Sequence, residues 1–121
     1  MKLIDFMQTV CCSELWRLAL AGKLRFDKVG RWWNIQEEID IVALESSGSD
    51  IVFAECKYRI QPMDTDVFYD LLRKKEFVPW KKETRLERFA LFSISGFTDR
   101  IIELAKERGD LLLIGPNGEV G

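Results

Sequence analysis

The spacing of apolar residues along the chain predicts an alternation of helices and strands. Over residues 1–22, apolar side chains recur every three to four positions and a glycine follows, which is typical of an amphipathic helix. Residues 28–34 predict a strand, and two apolar runs follow it at residues 38–44 and 51–57. The spacer between these runs is rich in serine and has the length that joins antiparallel strands. The two runs therefore predict a β-hairpin.

The second half of the chain predicts two helices, each followed by a strand. Asp64 is placed to cap the first of these helices, and residues 88–94 have the apolar composition of a buried strand. Thr98 is placed to cap the last helix, which Gly109 closes, and residues 111–114 predict a short final strand. The predicted order is α-β-β-β-α-β-α-β. This order indicates an α/β fold in which helices cover both faces of one central mixed sheet.

Strict alternation along the hairpin assigns its side chains to the two faces of the sheet. On the first strand, one face carries Ile39, Ile41 and Ala43, and the other face carries Asp40 and Val42. Both faces are apolar near the turn, so we expect both to be covered by other layers. Charged residues within these strands therefore occupy positions that ought to be buried.

The register that keeps the apolar residues paired also brings charged residues together. With Val42 opposite Phe53, Asp40 lies opposite Glu55. Opposed carboxylates repel each other, and burying one without a counter-charge costs on the order of several kcal/mol. Either Lys57, two residues further along the same face, or a divalent cation can compensate. A ligand set made only of oxygen atoms favours Mg²⁺ or Mn²⁺ over zinc.

Composition narrows the chemistry further. The chain of 121 residues contains no histidine, which excludes imidazole general bases, serine–histidine catalysis and histidine-ligated metals. Its length fits one domain, residues 1–121, and its net charge of −2 gives no global attraction to nucleic acid. The three cysteines lack disulfide or CxxC spacing, which favours a reducing cytoplasm. No apolar run approaches the roughly 20 residues of a membrane span.

The residues of the predicted hairpin resemble a known catalytic motif. Asp40, followed after the turn by Glu55-Cys56-Lys57, resembles the bipartite motif of the PD-(D/E)xK nuclease superfamily, whose fold is restriction-endonuclease-like. Five segments look like the uncharacterised domain at the carboxyl end of many archaeal and bacterial AAA-type ATPases: Val29-Gly30-Arg31-Trp32-Trp33, Glu37 to Leu44, Glu55 to Arg59, Val78-Pro79-Trp80 and Phe92 to Thr98. The resemblance extends over residues 9 to 115.

This resemblance implies metal-dependent hydrolysis of phosphodiester bonds in DNA. Asp40 and Glu55 would hold Mg²⁺ or Mn²⁺, with Glu14 from the first helix and the carbonyl of Cys56 as further ligands. Lys57 would orient or deprotonate the attacking water and stabilise the developing negative charge. Glu14 matches the family's helix glutamate, although the aromatic residue that usually precedes it is absent here.

Basic and aromatic residues near the motif are the expected DNA contacts. Four side chains are the basic candidates: Arg31, Arg59, Lys81 and Lys82. Residues 73–88 contain seven basic and three acidic residues, which indicates either a contact with phosphates or a solvated helix end and loop. Trp32, Trp33 and Trp80 are candidates for base stacking, with packing on the core as the alternative.

Two other interpretations stay open. The charged hairpin residues can form an ordinary structural ion-pair network, or the domain can be a catalytically silent DNA- or protein-binding module that regulates a partner ATPase. The resemblance allows an AAA-type ATPase in the same chain or in a separate one, although this chain has no GxxxxGK[ST] phosphate loop. The sequence leaves the oligomeric state open, a homodimer included.

Overall fold

Helices and strands alternate along the chain in the predicted order. The structure, a computed structural model, describes residues 3–57 and 59–120, with side chains from residue 10 onward. Its elements are α1 (Leu3–Leu20), β1 (Lys28–Trp33), β2 (Glu38–Leu44), β3 (Asp50–Lys57), α2 (Thr65–Lys75), β4 (Leu86–Ser93), α3 (Asp99–Arg108), β5 (Leu111–Gly115) and β6 (Gly118–Glu119). The order is confirmed, and the two-residue strand β6 adds to it. Among the described residues, no helix combines the length and apolar character needed to cross a lipid bilayer.

The strands form one mixed sheet in sequential order, from β1 at one edge to β6 at the other. β1, β2 and β3 are antiparallel neighbours, whereas β3, β4 and β5 run parallel, and β6 returns antiparallel to β5. Parallel neighbours need a crossover connection, and α2 and α3 supply the two that this order requires. The mixed sheet predicted from the order of elements is thereby confirmed.

Helices cover both faces of the sheet, as predicted. The larger buried cluster lies under α2 and α3 and includes Phe53, Phe68 and Ile101. The second cluster lies under α1 and includes Leu15 and Ala54. Phe53 and Ala54 are consecutive residues of β3, and both are fully buried, in different clusters. β3 is therefore a central strand with no solvent-facing side along this stretch.

The predicted register of β2 against β3 is confirmed. Val42 pairs with Phe53, and Leu44 pairs with Ile51. The regular ladder between the two strands begins at the pair of Ile41 with Ala54. The residues just beyond this pair are the acidic ones.

β1 pairs with β2 in two registers that are separated by a β-bulge. Gly30 pairs with Val42, whereas Trp32 pairs with Ile39. Residues 40–41 of β2 therefore lie opposite a single residue of β1. A bulge of this kind interrupts the ladder and increases the local twist of the strand that carries it.

The bulge shows that one prediction from strict alternation was wrong. Ile39, Ile41 and Ala43 do not share a face: Ile39 packs in the cluster under α2 and α3, whereas Ile41 and Ala43 pack in the cluster under α1. The bulge adds one residue to β2. After that residue, the odd-numbered side chains point to the opposite face of the sheet from the odd-numbered side chains before it. Asp40 belongs to the bulge itself.

The two helices that follow the hairpin are joined through their N-caps. Asp64 accepts a hydrogen bond from the amide of Thr65 at 2.7 Å, and the Thr98 hydroxyl donates to the same carboxylate oxygen at 2.9 Å. The Thr98 hydroxyl also accepts the amide of Ile101 in the first turn of α3. Both capping residues were predicted from the sequence, and both are confirmed.

Replacing Thr98 with alanine is expected to lower the free energy of unfolding by about 1 kcal/mol, because the cap of α3 loses its acceptor. Thr98→Ser keeps the hydroxyl and is expected to retain most of that stability. Urea denaturation followed by circular dichroism measures the difference. Equal losses in the two variants would show that the methyl group, and not the hydroxyl, carries the contribution.

Candidate active site

Two carboxylates meet where the ladder between β2 and β3 ends. The amide of Cys56 donates to Asp40 Oδ2 at 2.9 Å, and the amide of Asp40 donates to Glu55 Oε2 at 3.3 Å. Each carboxylate therefore accepts a backbone donor from the opposite strand, in place of the next ladder bonds. The structure thus brings Asp40 and Glu55 together from two neighbouring strands.

Glu55 is almost completely buried, with 3% of its side chain exposed. Burial is the largest cause that raises its pKa, and the hydrogen bond and charge of Asp40 add to the effect, so the pKa of Glu55 rises to about 7. The nearby ammonium of Lys74 opposes this rise. Glu55 therefore keeps its proton over much of the range below pH 7, and a positive charge placed beside it favours its ionised form.

Lys74 supplies positive charge to Glu55 from the end of α2. Its Nζ atom lies 2.8 Å from Glu55 Oε1, and only 13% of the lysine side chain is exposed. The same Nζ atom lies 3.5 Å from Asp70 Oδ2, one turn earlier on the helix. Sequence reasoning missed this partner because it treated Lys74 as part of an exposed basic segment. The available signal was its spacing, since Lys74 follows the buried Leu71 by three positions on α2.

Lys57 lies further along β3, on the face that Glu55 shares, and is half-buried. It pairs with Ser93 in the parallel ladder to β4. Within the described part of the chain, no side chain or carbonyl forms an ion pair or hydrogen bond with its ammonium group. Lys57 therefore does not neutralise the carboxylates, and its charge is available to a ligand.

Glu14 forms an ion pair within its own helix, α1. Its side chain pairs with Arg17 on α1 at 2.6 Å, and this hydrogen bond lowers the pKa of Glu14. It borders a small cavity of about 140 Å³ at the carboxyl ends of β4 and β5, next to Ser93 and Gly115. Among the residues that the structure describes, no three acidic or cysteine side chains converge in the manner of metal ligands.

Cys56 contributes its backbone to the site and its thiol to the other face of the sheet. The amide bonds Asp40, while the side chain packs in the cluster under α1. A hydrogen bond with the Cys11 thiol, together with burial, raises the pKa of the Cys56 thiol far above its usual range. The Cys56 thiol is therefore not a ready thiolate ligand.

The donor atoms at this site suit a hard divalent cation. Mg²⁺ is commonly bound by one or two carboxylates and keeps several waters, so two neighbouring carboxylates are a sufficient protein contribution. Asp40 and Glu55 provide such a pair, and their mutual repulsion is lowered by a cation. These two residues could hold Mg²⁺ or Mn²⁺ without a third side chain.

The four basic residues predicted to contact DNA lie in different surroundings. Arg31 is exposed on β1 and lies opposite the bulge of β2. Arg59 is exposed, and its carbonyl accepts the Ser95 hydroxyl. Lys81 donates to the carbonyl of Gly48 and lies 5.1 Å from the centre of a tryptophan ring. Lys82 lies 3.6 Å from a glutamate carboxylate. The four cations therefore differ in their partners.

The basic segment at residues 73–88 is largely neutralised within the protein. Arg73 bonds Glu37 and Asp70, and Lys75 bonds Glu87. Arg85 has only 1% of its side chain exposed. Its guanidinium donates to three backbone carbonyls and pairs with Glu87. Its guanidinium also lies 5.1 Å from the ring centre of Phe53. The excess of positive charge counted along the sequence is therefore not an excess of free cations on the surface.

Comparisons with known proteins place these residues within a shared sequence family and fold. The profile of DUF234, described as archaeal and bacterial proteins of unknown function, matches residues 5–75. The uncharacterised protein MJECL04 of Methanocaldococcus jannaschii is 39% identical over 56 residues, which cover 45% of this chain and 13% of that protein. A crystal structure of AF1548, a protein of unknown function, matches with a TM-score of 0.56 at 18% identity and covers 94% of this chain and 58% of that one. The chain thus spans about an eighth of the first relative and just over half of the second.

Proposed function

This chain belongs to the DUF234 family of archaeal and bacterial proteins of unknown function, and we propose that it is a PD-(D/E)xK-type, metal-dependent nuclease domain that acts on DNA. The observation that carries the proposal is the reciprocal pairing of Asp40 and Glu55 at the end of the β2–β3 ladder. Lys57 follows on the same strand, with no partner for its ammonium among the described residues. Two carboxylates and a lysine supply the metal ligands and the cation that the proposed hydrolysis would use.

Each residue of the site has a proposed part in the reaction. Asp40 and Glu55 would hold Mg²⁺ or Mn²⁺, which polarises the phosphate and lowers the pKa of the attacking water when it is bound. The ammonium of Lys57 would donate to that water or to a phosphate oxygen and offset the negative charge that develops. The mechanism requires no imidazole, in agreement with a chain that contains no histidine.

Lys74 is proposed to position the site. It holds Glu55 Oε1 at 2.8 Å while the amide of Asp40 holds Oε2, so the carboxylate is fixed at both oxygens. Fixing a ligand by its surroundings reduces the reorganisation that cation binding requires. Glu14 and the carbonyl of Cys56 remain further proposed ligands by family resemblance, and the proposal does not depend on them.

Metal binding tests this function directly. Isothermal titration with Mn²⁺ is expected to show one site in the wild-type chain and at least a tenfold loss of affinity in Asp40→Asn, because one of two carboxylate ligands loses its charge. Asp70→Asn removes a neighbouring carboxylate that contacts Lys74 but lies outside the pair, and it is expected to retain binding. A wild-type chain that binds no Mn²⁺ and cleaves neither single-stranded nor duplex DNA would overturn the proposal.

A catalytically silent module is the second candidate, and the Lys74–Glu55 ion pair favours it. This pair already gives the buried carboxylate a counter-charge without any cation. Such a module would bind DNA or a protein and regulate an AAA-type ATPase, in the same chain or in a separate one. DNA binding that falls with added salt but is unchanged by Mn²⁺ and by Asp40→Asn would support this candidate over the nuclease.

Either activity is proposed to take place in the cytoplasm. The described cysteines are free thiols, as is usual in a reducing compartment. A DNA substrate would be met in the same compartment of an archaeal or bacterial cell.

A further inference from the structure

We propose that the groove between β1 and the segment Val78–Trp80 binds single-stranded DNA, with bases stacked on Trp32 and Trp80. This inference rests on the proposed function, because it names the form of DNA that the same site would receive. It concerns binding without the metal, so it can be tested separately from cleavage.

The groove lies at the open edge of the sheet and has a volume of about 580 Å³. Val42 and Leu44 of β2 form its floor, β1 forms one side, and Val78–Trp80 forms the other. Its volume falls within the range of small-ligand sites, on the order of 300–1,000 Å³. Because β1 has no further strand beside it, the groove is open along that edge.

Two tryptophan rings line the groove and are held by the core behind them. Trp32 and Trp80 are both half-buried, and both pack against the cluster under α2 and α3. Packing on one side fixes each ring. The ammonium of Lys81 lies over the Trp80 ring, 5.1 Å from its centre, so a base that stacks on that face takes the place of the ammonium. Indole rings held in this way are the stacking platforms that proteins use for unpaired bases, because every base has a π face.

The charges around the groove fit a polyanion. Lys28 and Arg31 are exposed residues of its lining, and the ammonium of Lys81 lies over the ring of Trp80, which also lines it. No carboxylate is among the described residues that line it. An apolar groove with a basic margin favours nucleic acid over a peptide partner.

The groove lies close to the candidate active site along β2. Arg31, in its lining, lies opposite the bulge that contains Asp40. Val42, on its floor, follows Asp40 by two positions in β2, a separation of about 7 Å along an extended strand. A strand bound in the groove would therefore approach the carboxylates. Duplex bases are stacked inside the helix and cannot reach the tryptophans, so the arrangement selects a single strand.

Fluorescence anisotropy tests whether the groove binds single-stranded DNA. It measures the affinity of the full chain, in EDTA, for a labelled oligonucleotide of fifteen thymidines. Trp80→Ala is expected to weaken binding about tenfold, since one base loses its stacking surface. Trp33→Ala is the matched control: its side chain is 67% exposed on the neighbouring position of β1 and lies outside the groove. Trp80→Phe keeps an aromatic face, and it is expected to bind within about threefold of wild type.

Charge variants give a second measurement that does not depend on packing at Trp80. The measured quantity is the slope of the logarithm of the binding constant against the logarithm of salt concentration. Lys28→Ala is expected to reduce this slope by about one unit. Lys23→Ala removes a lysine that is paired with Glu119, and it is expected to leave the slope unchanged. Duplex of the same length is expected to bind at least tenfold more weakly than the single strand.

Three results would overturn the proposal that the groove binds single-stranded DNA: no binding of the oligonucleotide, equal effects of Trp80→Ala and Trp33→Ala, or duplex bound as tightly as the single strand. Mn²⁺ binding and cleavage that survive such a result leave the nuclease proposal standing with another form of DNA as its substrate. Groove binding without any Mn²⁺ binding supports the groove and rejects the nuclease.

Discussion

Replacing Lys57 with methionine is expected to slow DNA cleavage by a factor of about 10² to 10⁴. The methionine retains the apolar length of this half-buried residue and removes the ammonium, which lacks a partner among the described residues. Mn²⁺ affinity is expected to stay within about twofold of wild type, because the change leaves both carboxylates in place. Single-turnover cleavage at saturating Mn²⁺ measures the chemical step.

Lys74→Met distinguishes the role of Lys74 from the role of Lys57. Lys74 bonds Glu55 directly, so its loss is expected to change the stability and the Mn²⁺ affinity of the protein. Lys57→Met is expected to change neither. If Lys57→Met cleaves at the wild-type rate, the proposed role of this lysine in the reaction is wrong.

The stability that Glu55 contributes is expected to fall as pH rises from about 4.5 to about 7. Burial and the neighbouring Asp40 raise the pKa of Glu55 from an ordinary 4.5 to about 7. The folded chain therefore keeps a proton on Glu55 in an interval where the unfolded chain has lost it. The contribution is complete below pH 4.5 and is lost as pH rises through 7, and it amounts to about 3 kcal/mol.

Glu55→Gln isolates this contribution, because glutamine does not titrate. The free energy of unfolding of wild type minus that of Glu55→Gln is expected to decrease by about 3 kcal/mol between pH 4.5 and pH 8, as chemical denaturation at each pH would show. Glu38→Gln removes an exposed carboxylate from the same hairpin and controls for the change in net charge. A difference between wild type and Glu55→Gln that stays constant with pH would contradict the raised pKa of Glu55.

Much of the fold could be predicted because its signals are local. The hairpin register follows from matching Val42 with Phe53, and the helix starts follow from Asp64 and Thr98, whose side chains cap the turn directly after them. The juxtaposition of Asp40 and Glu55 follows from the same register. These features depend on residues that are close in sequence or joined by a short turn.

The features that sequence reasoning missed depend on contacts between distant parts of the chain. The bulge at residues 40–41 appears only when β2 is paired with β1, and strict alternation cannot reveal an extra residue. Lys74 reaches Glu55 only because α2 packs on the sheet. Arg85 is counted as one more cation in the sequence, yet the fold buries it among backbone carbonyls and Glu87. Tertiary packing decided each of these outcomes.

The bulge in β2 has a consequence for transplanting this site into another protein. Ile39 packs in the cluster under α2 and α3, whereas Ile41 packs in the cluster under α1. The side chains change from one face of the sheet to the other within the bulge. A flat hairpin that received the same residues would turn either Ile39 or Ile41 toward the wrong layer. A graft that keeps the site intact must therefore include β1, because pairing with β1 produces the bulge. The smallest segment that can be transferred is then three strands, and not the two strands that carry the acidic residues.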